Sequence, residues 1–107
     1  MDSATVSQKL IGSWIWRKQA CMAIPLKDAD KQVQVTFNAN RSFIVIENSV
    51  TVSQGIWTLE NTDIHLWALH LTAPSNYVNG PISFCNNQVE FNDSYRDGCY
   101  NLFTRSN

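Results

Sequence analysis

The stretch KQVQVTFNANRSFIVIENSVTVSQGIWTL, residues 31–59, decides the fold. Its first eight residues alternate: Val33, Val35 and Phe37 share one face, and Gln32, Gln34 and Thr36 the other. A period of two marks a strand half-buried in a sheet. Asn38-Ala39-Asn40-Arg41 reads as a turn, residues 42–48 as a strand apolar on both faces, and Asn48-Ser49 as a tight hairpin turn. Residues 50–59 return as a strand in which Gly55 marks a bend or bulge. Which of Ile56 and Trp57 faces inward is left open, because both faces are apolar there.

The same pattern continues in both directions. Toward the C-terminus, 64–71, 81–85, 88–92 and 99–105 read as strands, separated by Glu60–Asp63, the loop 73–80, Asn86-Asn87 and the Asp93–Gly98 turn. Toward the N-terminus, 11–20 is a strand with Trp14, Trp16 and Lys18 on one face and Ile15, Arg17 and Gln19 on the other. Residues 21–30, with Pro25 and two aspartates, read as a long loop. The polar lead 2–10 carries Asp2-Ser3 and Ser7 as caps for a single helical turn near 4–10.

Eight short strands joined mostly by tight turns define an all-β, antiparallel, up-and-down pattern. Closing it into a barrel removes the unpaired edges. A sandwich of two four-stranded sheets is the alternative. Composition agrees: 8 Val, 8 Ile and 7 Thr favour strands, and only 7 Ala and 3 Glu are left to favour helices. At 107 residues the chain is one domain, 1–107. A net charge of −1 provides no excess to neutralise phosphates, so nucleic acid is not an expected partner. The apolar runs are too short to span a bilayer. The lead is too polar for an export signal, and any such signal is expected to have been removed.

Leu10-Ile11-Gly12-Ser13-Trp14 resembles the Gly-x-Trp motif that opens the first strand of lipocalins, and Phe103-Thr104-Arg105 resembles their closing arginine. The middle is similar to small bacterial lipocalin-like domains of the calycin group. It carries the Val35–Phe43 stretch, the Gly55-Ile56-Trp57-Thr58-Leu59 strand and the Asp93–Gly98 turn. The resemblance implies an eight-stranded barrel in which Gly12, Trp14 and Arg105 seal one end. Arg105 would then stack on Trp14. It implies a protein secreted, periplasmic or lipid-anchored upstream, without a cofactor, monomeric or weakly dimeric. With the first strand beside the last in that way, Cys21 falls near Cys99. A Cys21–Cys85 bond and three reduced thiols are the alternatives, and an odd count leaves Cys85 free in the preferred pairing.

Little in the chain points to catalysis, and no enzyme activity is expected. His65 and His70 are five apart and point to opposite faces of a strand, so they do not share a metal. Asp28/Asp30 and Asp93/Asp97 sit in loops with nothing apolar around them to raise a carboxyl pKa, and the Asp93–Gly98 spacing matches no calcium loop. The aromatic residues are the candidates for binding. Trp16, Phe43, Trp57, Trp67 and Tyr77 would line a pocket for a small hydrophobic molecule, or would fill the barrel as core. A protease inhibitor that inserts residues 2–10 into an enzyme cleft, or an interaction module with a filled core, are the alternative functions.

Overall fold

The computed structural model describes residues 2–21, 23–62, 66–94 and 98–106. Helix α1 (Ser3–Leu10) leads into strands β1 (Gly12–Cys21), β2 (Ile24–Asp28), β3 (Val33–Phe37), β4 (Ser42–Glu47) and β5 (Val50–Asn61). These are followed by β6 (Trp67–Leu71), β7 (Ile82–Cys85), β8 (Gln88–Asn92) and β9 (Tyr100–Arg105). The strands run β6-β5-β4-β3-β1-β9-β8-β7, every described pairing antiparallel, in a nearly closed eight-stranded barrel. Sequence neighbours pair because the connections are short. Asn48 and Ser49 both take positive φ, the conformation that a two-residue hairpin needs. The ring is completed where β1 meets β9. Opposite that seam, one bridge among the described residues, Ala68 to Pro81, joins β6 to the start of β7.

Residues 21–30 are a strand and not a loop over most of their length. Strand β2 folds back on β1, with Lys18 opposite Asp28 and Cys21 opposite Ile24. It lies off the barrel, all five of its residues are exposed, and no strand covers its other edge among the described residues. Along this side β1 pairs β3 as far as Ile15 and β2 from Lys18 onward.

The changeover coincides with a bulge. Trp16 is opposite Phe103 and Lys18 opposite Leu102, so Arg17 is an extra residue. A bulge bends its strand and reverses the alternation beyond it. Lys18 therefore leaves the face of Trp14 and Trp16, and Gln19 joins it: both the Trp16 indole (3.0 Å) and the Gln19 amide (3.0 Å) donate to Asn101 Oδ1. The bulge in β5 is at Val52, between Ser53 opposite Val45 and Thr51 opposite Ile46, and not at Gly55. Gly55 pairs regularly with Phe43, and a Cβ there would press on the Phe43 ring and the Thr72 hydroxyl. Gly98 likewise avoids the Asp93 side chain.

The inward face is continuous core: Trp14, Trp16, Val33, Val35, Phe37, Phe43, Val45, Trp57, Val89, Phe91 and Phe103 are all buried. Trp57 is fully buried and Ile56 is 46% exposed, which fixes the phase of β5. Helix α1 closes one end. Asp2 caps it through Thr5 N–H, and Val6 and Leu10 drop into the core. The segment 2–10 is thus part of the barrel's floor and not a free arm.

Candidate functional site

Two arginines fasten the floor. The Arg105 guanidinium lies 3.9 Å over the Trp14 ring and donates to the Ile11 (2.8 Å) and Lys9 (2.7 Å) carbonyls at the end of α1. Trp14 Nε1 donates to the Leu10 carbonyl. Gly12, at φ 130°, leaves space that a Cβ would take from Arg105. Across the floor, Arg41 lies 4.5 Å over Trp57 and donates to the Ser7 hydroxyl. Cys21 is bonded to Cys99 further along the β1–β9 seam, and Cys85 is a free, exposed thiol.

The five aromatic candidates are brought together as packing. Tyr77 meets Trp16 edge-on at 5.0 Å, and Phe37 meets Trp57 at 5.8 Å. Trp16, Phe43, Trp57 and Tyr77 are buried, and Trp67 packs against the same core from β6. The Tyr77 hydroxyl reaches the rim and donates to Glu47 Oε2 (2.9 Å), while Lys31 Nζ holds Glu47 Oε1 (2.9 Å). Lys31 and Tyr77 hold the Glu47 carboxyl below its ordinary range; that carboxylate in turn raises Lys31, and burial first, then Glu47, raises Tyr77. His70 is exposed on β6; His65 and Asp97 lie outside the described residues.

A wide opening lies on the other side of the sheet. A groove of about 930 Å³ runs over Ile15, Gln34, Ile46, Leu102 and Thr104. Each of these alternates with a core residue, so the groove is on the barrel's outer face. Register places Gln88, Thr104, Ile15, Gln34 and Ile46 in one row across β8, β9, β1, β3 and β4. The bulge and the β2 arm build the wall. Arg17 Nε donates to Thr104 Oγ1 (2.8 Å), Lys18 pairs with Asp28 (2.9 Å), and the Ala29 N–H donates to the carbonyl that Arg17 presents (2.8 Å). Lys31 and Gln32 continue it, and a smaller hollow of about 160 Å³ lies beside Pro74 and Ser75.

Of the five aromatic candidates only Trp16 lines this groove, and sequence reading singled out none of the outward residues. Its signal was the doubly apolar 42–48 strand, whose outward Ile44 and Ile46 remain only half-buried. Comparison with family models, curated proteins and solved structures finds no match. Among the described residues no three His, Cys, Asp or Glu side chains group as a metal site, and no helix is long and apolar enough to cross a membrane.

Proposed function

We propose that this chain is a non-enzymatic, lipocalin-like binding protein that takes a small hydrophobic molecule on its outer face and not inside its barrel. One observation carries the reading: the inward aromatic residues pack against each other, while a groove opens over Ile15, Ile46 and Leu102. Its size falls within the range of small-molecule sites, roughly 300–1,000 Å³. Fold alone does not set function, so the groove's own chemistry supports the reading. The Cys21–Cys99 bond supports a working place in an oxidising compartment, secreted or periplasmic.

Titration with the neutral dye Nile red tests this, using the wild type and Leu102→Glu. Leu102 is half-buried on the outer face, so a carboxylate there spoils the groove without entering the core. Saturable binding by the wild type, weakened at least about tenfold in the variant at an unchanged melting temperature, is expected. Equal binding by both proteins places the dye elsewhere and overturns the reading, as does no binding by the folded wild type.

A further inference from the structure

The groove is asymmetric in charge. Its lining contains three cations, Arg17, Lys18 and Lys31, and one carboxylate, Asp28. Lys18 is paired with Asp28, and Lys31 with Glu47. Arg17 is different: its Nε is bonded to the neutral Thr104 hydroxyl, and it has no carboxylate partner among the described residues.

The bulge explains why Arg17 is there. As the extra residue of β1 it has no cross-strand partner on β9, and its side chain lies toward Thr104 on the outer face. Thr104 is directly opposite Ile15 in the register. The guanidinium is therefore held next to the apolar floor. A planar fork of N–H donors beside an apolar surface matches a carboxylate on an apolar body.

We infer that the ligand of the groove is a small amphipathic anion, its apolar part over Ile15, Ile46 and Leu102 and its carboxylate on Arg17. The inference rests on the outer-face reading above and specifies its chemistry. Lys31, also on the lining, is neutralised by Glu47, so Arg17 carries the groove's uncompensated charge. The row from β8 to β4 spans four strand spacings, about 19 Å, long enough for an extended acyl chain.

The experiment compares decanoate, decanol and decyltrimethylammonium, each below its aggregation concentration, by amide shift titration of the oxidised protein. Wild type, Arg17→Gln and Leu102→Glu are used. Decanoate is expected to bind about tenfold more tightly than decanol and to perturb residues 15, 17, 34 and 102. The cation should bind more weakly than the alcohol. Arg17→Gln should bring decanoate down to the level of decanol while leaving decanol unchanged, and added salt should narrow the preference. Equal binding of the three compounds, lost together in Leu102→Glu, overturns the anion inference and leaves the outer groove standing. A decanoate preference that survives Arg17→Gln also overturns it. Perturbations that ignore Leu102→Glu and map to the core overturn both readings.

Discussion

Where β1 meets β9, the chain's ends form a ladder from Trp14–Arg105 to Ala20–Tyr100, stacked at one end and bonded through Cys21–Cys99 at the other. Where β6 meets β7, one bridge between Ala68 and Pro81 joins the two sides among the described residues. The first seam joins residues 78 or more positions apart in sequence, which the chain brings together at an entropic cost. The second is crossed by the 72–81 connection, so its two sides stay near each other without a ladder. Strong interactions are concentrated on the seam that chain connectivity does not hold.

Trp14→Ala is the most severe way to break this contrast. It removes a buried indole, its bond to Leu10 and the platform under Arg105. A loss of about 4–5 kcal/mol is expected in urea unfolding, against less than about 1 kcal/mol for Ala68→Gly at the weak seam. Comparable losses at the two sites would show that the seams are equivalent. Next in size is the disulfide. Cys21→Ser with Cys99→Ser releases a closure over 78 residues and should cost about 2–4 kcal/mol, read as a lower melting temperature. An unchanged melting temperature would mean that Arg105 and the ladder hold the seam unaided.

The smallest effects are pH-dependent and distinguish the two sides. Glu47 is lowered by Lys31 and Tyr77, so its contribution is present above the ordinary carboxylate range and fades as pH falls through the lowered value. Tyr77 belongs to the connection beside the weak seam, so amide exchange in 72–81 should quicken first in acid. Tyr100, on the strong seam, donates to Glu90 and is pushed up to about 12 by burial and that carboxylate. Its contribution is intact below 10 and is lost as pH climbs from there to about 12. Alkali should therefore loosen β8 and β9, and with them the 72–81 segment, because Tyr77 is raised by burial as well. Exchange that quickens in β8 and β9 before 72–81 in acid would contradict the assignment.

The eight barrel strands were legible because alternation and turn residues report local geometry, as at Val33–Phe37 and Asn48-Ser49. Gly12, Trp14 and Arg105 were legible through resemblance. Strand β2 was not, since a strand exposed on both faces has no alternation and Pro25 argued against pairing. The Arg17 bulge left no mark in composition, yet it set the facing of Lys18 and Gln19 and built the groove wall. The choice between Ile56 and Trp57 required the neighbours: only the assembled barrel shows that Phe37 and Arg41 await an indole.

Strand β2 also matters for how copies of the molecule meet in concentrated solution. An uncovered ladder edge carrying Ile24, 50% exposed, and Leu26, 55% exposed, is a template on which fibrils nucleate. Lys27 and Asp28 place charge beside the apolar pair. These residues act as gatekeepers. The proline that disguised the strand in the sequence lies where the ladder to β1 shifts register, so charge is what guards the edge the barrel leaves open.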